Sequence, residues 1–183
     1  EQARDRFPQF RLRDEETCVY DPWAGYLESG RAVRNLAQLA RESGVQVLEN
    51  EPVAAVEEGR DGVTVRVGSG QRTFDRVVVA TGVWMGRLLP QIGSGLRVTH
   101  QQMVLIKVKD PGPFSHGSLP VWSIDPDKGG WLKNTWYGFP MLREGYVKVS
   151  REGRGDVVDP DLDRQGTQEF VEQTMEFLRE RIP

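Results

Sequence analysis

One cysteine and two histidines in 183 residues leave little for redox or metal chemistry. Cys18 has no partner for an internal disulfide, and no Cys/His cluster has the spacing of a zinc site, so no metal is expected. Basic excess is missing too. With 24 Lys and Arg against 27 Asp and Glu, the net charge is -3 and no positive field exists to draw in nucleic acid or an anionic membrane surface. No apolar run approaches the roughly 20 residues of a membrane span, and no signal peptide opens the chain. Internal repeats and low-complexity tracts are absent. A cytoplasmic globular protein without nucleic-acid or membrane partners is the expected setting.

What is present fits that setting. Hydrophobic residues make up 38% and charged residues 28%, enough for one large domain or two small lobes. The chain begins at Glu1 without an initiator Met and stops at Arg181-Ile182-Pro183 on the last turn of an expected helix. It therefore reads as an internal piece of a longer protein.

The organising stretch is Phe74-Asp75-Arg76-Val77-Val78-Val79-Ala80-Thr81-Gly82-Val83-Trp84. Three successive valines predict a short strand buried on both faces, as in a parallel sheet. It ends on Ala-Thr-Gly, where glycine lets the backbone turn sharply or come close to a ligand. The crevice outside the carboxyl end of such a strand is where open α/β sheets bind nucleotides. An ordinary core strand with a glycine stop has the same pattern.

Upstream, residues 1–24 carry no clear period and predict a short helix followed by an extended connection. Val33, Leu36, Ala37 and Ala40 recur on one face of a helix over about 30–43, with Ser29 as N-cap and Gly44 as the C-terminal cap glycine. Val45 to Glu49 reads as a strand. Val53 to Val56 and Val63 to Val67 form a hairpin across Gly59-Arg60-Asp61-Gly62, and Gly68-Ser69-Gly70-Gln71 turns the chain into Arg72-Thr73-Phe74, completing a meander.

Downstream, a short helix over Met85 to Leu89 is broken by Pro90, and the composition changes at about 90–96. One long strand is expected over Leu96 to Lys109. Three more follow at Val121 to Ile124, Trp131 to Tyr137 and Tyr146 to Ser150, most simply antiparallel. A last amphipathic helix uses Phe170, Val171, Phe177 and Leu178. Asp156, Asp159, Asp161 and Asp163 lack calcium-loop spacing and read as turn formers. The expected fold class is α/β (α+β), with a first part over residues 1–95 and a second over 96–183.

The order of these elements resembles the D-amino-acid oxidase superfamily of flavoproteins, on its monomeric sarcosine oxidase and N-methyltryptophan oxidase branch. Trp136-Tyr137-Gly138-Phe139-Pro140 is similar to that branch's Tyr-Tyr-Gly-Phe-Pro, and Gly145-Tyr146-Val147-Lys148-Val149 resembles its lysine-bearing strand. The resemblance covers roughly residues 7–165. It implies part of an FAD-binding Rossmann-like domain with a β-meander, followed by part of an antiparallel-sheet substrate domain. It also implies FAD as cofactor, with Val53 beside the adenosine part and Ala80, Thr81, Gly82 and Trp84 bordering the phosphate and ribose region. On residues alone, Val53 is plain strand packing and Trp84 a core aromatic.

Lys148 shares a strand face with Tyr146 and Ser150. By itself it is a solvated strand lysine. The resemblance implies a lysine over the flavin that assists the reaction of reduced flavin with O₂, with Trp136 or Tyr137 walling the substrate pocket. Three departures stand out: Val83 replaces a small residue, Thr99-His100-Gln101 stands for Pro-x-Arg, and Glu152 takes the place of a histidine. The last two bear on substrate. No G-x-G-x-x-G turn, the main hold on the ADP half of FAD, occurs in the chain, so weak or absent FAD binding is expected of this piece. The expected activity of the full-length protein is oxidation of the C–N bond of a primary or secondary amine or amino acid, by hydride transfer to flavin with O₂ as acceptor. The alternatives are a flavin dehydrogenase that passes electrons to a carrier and a non-catalytic α+β binding module.

Overall fold

A computed structural model describes residues 2–126, 134–142, 145–153, 155–162 and 164–183. In chain order the elements are α1 (Gln2–Arg6), α2 (Ser29–Glu42), β1 (Val53–Gly59), β2 (Gly62–Val67), β3 (Gly70–Phe74), a 3₁₀ turn at Gly82–Trp84, α3 (Met85–Leu88), α4 (Pro90–Gly93), β4 (Met103–Lys107), β5 (Trp122–Ile124), β6 (Trp136–Gly138), β7 (Tyr146–Arg151) and α5 (Gln168–Arg181). They fall into two compact units. Unit 1 comprises residues 1–26, 99–157 and 162–183, and unit 2 comprises residues 27–98 and 158–161.

Unit 1 is built on a four-stranded antiparallel sheet in the order β4-β7-β6-β5. One face of the sheet carries Trp122, Trp136, Val147 and Val149, all buried. Phe170 and Phe177 of α5 belong to the same core. The Trp136 ring stacks on Phe177 at 4.6 Å and on Phe170 at 6.0 Å. Gly138 has no side chain because the Trp122 ring occupies the space where a Cβ would sit. The start of α5 is fixed by Thr167, whose hydroxyl accepts the Phe170 N–H.

The first 26 residues belong to this unit and not with the segment that follows them, as the expected division at residue 95 had it. The reason lies in their contacts. Phe10 meets Trp122 edge-on, the Arg11 N–H donates to the Arg181 carbonyl at 2.8 Å, and the buried Arg181 guanidinium donates to both carboxylate oxygens of Glu16.

Unit 2 contains the meander β1-β2-β3, antiparallel throughout, with a register shift between Val53 and Ala55. Gly62 closes the β1–β2 turn with φ +136°, where a Cβ would press on the Phe74 carbonyl at 2.6 Å. Helix α2 runs as its periodicity predicts. It starts one residue early, at Ser29, so that Glu28 is the N-cap and supplies no side-chain cap bond. Its C-terminus is a Schellman turn: Gly44 takes φ +84°, and the Gly44 and Val45 amides donate to Arg41 and Ala40. The apolar stripe of α2 is nevertheless open to solvent, with Leu36 67% exposed.

Two expected strands differ. Residues 45–49 and 76–81 belong to no strand of either sheet, and Val78, expected to be buried, is 90% exposed. A strand needs a ladder partner, and no strand among the described residues pairs with either segment. The long strand expected over 96–109 is reduced to β4, preceded by a single Thr99–Val157 bridge. β6 is described from Trp136 onward; residues 131–133 of that expected strand, and Asp163, lie outside the described residues.

Candidate functional site

The two groups of candidate residues lie in different units. Val53, Ala80, Thr81, Gly82 and Trp84 belong to unit 2, and Trp136, Tyr137 and Lys148 to unit 1.

In unit 2, Val53 opens β1 opposite Val67, and α3 lies against that strand. Ala80 is exposed. Thr81 precedes the 3₁₀ turn, and its Oγ1 is buried without a hydrogen-bond partner among the described residues. Gly82 adopts φ +55°, and nothing lies within 4 Å of the place a Cβ would take. Left-handed backbone with open space before it suits main-chain N–H groups that approach an anion. A buried hydroxyl awaiting a partner beside that glycine is what a phosphate or ribose oxygen would satisfy. These residues fit the nucleotide part of FAD. Trp84 is 41% exposed, so it is no core aromatic. Its indole Nε1–H donates to Asp161 at 2.8 Å.

In unit 1, strand alternation sorts the candidates. β6 and β7 pair Trp136 with Arg151 and Tyr137 with Ser150, so Trp136 and Tyr137 point to opposite faces. Trp136, 6% exposed, is on the core face, with the Arg151 guanidinium 5.3 Å from its centroid. This corrects the expectation that Trp136 could wall a substrate pocket: its ring is consumed by the stack with α5.

Tyr137 shares the other face with Lys148, which is half-buried opposite Leu105 of β4. The Lys148 ammonium lies 5.0 Å from the Phe139 ring centroid, and no carboxylate among the described residues forms an ion pair with it. Phe139 is fixed by its own N–H, which donates to the Lys148 carbonyl at 3.0 Å. Tyr26 meets Phe139 edge-on at 5.8 Å, and Tyr137 does so at 6.1 Å. Lys148 thus sits at the rim of a small aromatic group. His116 is exposed and, among the described residues, meets that group through the edge of Tyr26.

Two residues in these surroundings escaped the sequence reading. Phe139 stands two positions after Tyr137, and alternation alone puts it on the same face. Asp161 had no such signal. Read as a turn former, it does accept that role through its N–H to Asp159, but its carboxylate also holds Trp84 and Arg87. Among the described residues no group of His, Cys, Asp and Glu could hold a metal ion, and no helix is long and apolar enough to cross a membrane.

The mixed helix-and-sheet fold is shared with a solved protein. NikD, an unusual amino acid oxidase essential for nikkomycin biosynthesis, superposes in its open form with a TM-score of 0.56 at 16% identity, over 82% of this chain and 39% of that one. The sequence carries the assignment further. The family model DAO, FAD dependent oxidoreductase, matches residues 1–183, and the chain belongs to that family. It is 30% identical over 187 aligned positions to N-methyl-L-tryptophan oxidase from Yersinia pestis and, equally, from Yersinia pseudotuberculosis. All of this chain is matched but only 48% of each relative, so it spans about half their length.

Proposed function

We propose that the full-length protein is an FAD-dependent oxidoreductase that oxidises the C–N bond of an amino acid or related amine, with O₂ as electron acceptor. The single observation that carries the reading is the Lys148 ammonium: half-buried, on the sheet face away from the core, beside aromatic rings and, among the described residues, without a carboxylate partner. Membership of the DAO family and the oxidase relatives support the same conclusion.

FAD, when bound, supplies the two-electron chemistry. The chain's own residues do the rest. The N–H groups around Gly82 and the hydroxyl of Thr81 would hold the phosphate and ribose region, with Ala80 and Trp84 bordering it and Val53 beside the adenosine part. Lys148 holds a positive charge at Nζ. A cation already in place favours negative charge developing on oxygen, because no solvent must reorganise to meet it. Tyr137, on the same face, is the aromatic available to bound substrate. By itself the 183-residue chain is expected to bind FAD weakly, since it has no G-x-G-x-x-G turn.

The test is a substrate screen on the full-length protein, with flavin absorbance and O₂ consumption followed together. Bleaching by an N-methyl or primary amino acid is the expected result; a flavin-free protein overturns the reading. Lys148→Met is expected to slow reoxidation by O₂ roughly 10²-fold while substrate still bleaches the flavin. Unchanged oxygen reactivity would remove the lysine from its role and favour a dehydrogenase that uses another acceptor.

A further inference from the structure

Asp159 and Asp161 read from sequence as turn formers, and nothing in the proposed chemistry uses them. In the structure they close a network over the turn at Gly82–Trp84, all within unit 2. One Asp161 oxygen accepts the Trp84 Nε1–H at 2.8 Å, and the other accepts from the Arg87 guanidinium. Arg87 reaches on to Asp159, whose carboxylate also accepts the Asp161 N–H at 3.0 Å. The loop that carries both aspartates is tied down at its start by the Val158 N–H, which donates to the Val98 carbonyl at 3.0 Å.

Beyond the packing of α3 against β1 and α4, the turn beneath has little to hold it. The 3₁₀ turn has three residues and α3 has four, too short for independent helical stability. Neither has a side-chain cap bond at its N-terminus. Gly82, with φ +55°, has no side chain to restrict it. Trp84 is 41% exposed, so packing covers only part of it and a polar anchor for the indole adds to what selects its orientation.

We propose that Asp161 is a positioning residue for the cofactor end of unit 2: with Arg87 and Asp159 it fixes the Trp84 indole and, through it, the Gly82 turn against which the nucleotide lies. The proposal rests on the FAD reading above. An exposed ion pair is worth little to stability, so the network's effect is expected in ligand affinity, where the geometry of the turn counts directly.

The experiment titrates FAD into apo-protein prepared from the full-length chain and measures the dissociation constant and the melting temperature of each variant. Asp161→Ala is expected to weaken FAD binding about tenfold, the scale of one charge-assisted hydrogen bond, with little change in melting temperature. Asp161→Asn keeps an acceptor for the indole and is expected to recover most of the loss. Trp84→Phe removes only the donor and keeps a ring. It should weaken binding to a similar degree, and the double variant Asp161→Ala with Trp84→Phe should be no worse than either single one. Glu57→Gln, which breaks the exposed Arg66–Glu57 pair elsewhere in unit 2, serves as control and should leave affinity unchanged.

Affinity within twofold of the parent in Asp161→Ala overturns the proposal, as do losses that add in the double variant or that track melting temperature without rescue by Asn. If Asp161→Ala does not fold, Trp84→Phe decides on the same criteria. A parent protein that binds no FAD overturns the cofactor reading and this inference with it. A parent that binds FAD, with variants that bind equally well, overturns this inference alone.

Discussion

Unit 1 gathers four aromatic rings into a core, although Trp23 stays exposed, whereas unit 2 buries Val65 but leaves most of its large apolar side chains in water. Trp122, Trp136, Phe170 and Phe177 stack between sheet and helix until little of them remains accessible. Val33, Leu36 and Leu39 of α2, with Val45, Leu48 and Val78, are all exposed. Yet α2 is the more strongly amphipathic helix of the two long ones, judged by its clean apolar stripe. The difference teaches that amphipathic pattern and burial are separate facts. A pattern is written into one segment, whereas burial needs a second surface to meet it. Unit 1 has both surfaces within this chain, and unit 2 presents one.

The comparison can be broken by mutation. Phe177→Ala removes the ring that touches both tryptophans and is expected to cost about 3–5 kcal/mol in denaturant unfolding. A loss under about 1 kcal/mol would mean that the stack is not the core it looks like. Gly138→Ala drives a methyl group into the Trp122 ring and should cost about 1–3 kcal/mol, with a red-shifted tryptophan emission as the ring is displaced.

The Glu16–Arg181 pair gives unit 1 a pH signature. Partial burial pushes the Glu16 carboxyl up, but the Arg13 N–H and the Arg181 guanidinium outweigh it, and the net shift is downward from 4.5. A carboxyl lowered in the folded state contributes stability above its unfolded pKa, and loses it as the pH falls through its folded one. Unfolding titrations should therefore weaken below pH 4.5, and Glu16→Gln should flatten that acid limb while costing roughly 2 kcal/mol at neutral pH.

The smallest effect belongs to unit 2. Leu36→Ala, at a site 67% exposed, should change the stability of this chain by less than about 0.5 kcal/mol. The same substitution in the full-length protein sharpens the contrast: a cost above about 2 kcal/mol there would mean that the α2 stripe is covered in the longer chain.

Much of the fold was legible because it is local. The α2 period, Gly44 as cap, the hairpin glycines and the alternation on β7 each depend on a few neighbouring residues. The expected strands at 45–49 and 76–81 failed for a different reason: Val77-Val78-Val79 has strand composition, but a strand exists only with a partner. Trp136 shows the same limit at the site. Alternation separates it from Tyr137, yet which face is core depends on α5, more than thirty residues later. Thr81 and Gly82 could be flagged from Ala-Thr-Gly alone. The clasp that Asp161 places on Trp84 could not, because 77 residues separate the partners and neither carries a motif.

The amide of Arg11 meets the carbonyl of Arg181, 170 positions further along. During synthesis, then, the early segment leaves the ribosome long before its partner exists. The meander can pair as soon as residue 74 emerges, whereas Phe10 and Glu16 must wait, solvated and open to proteases, until α5 has been made. Unit 1, the better packed of the two, is the later to close.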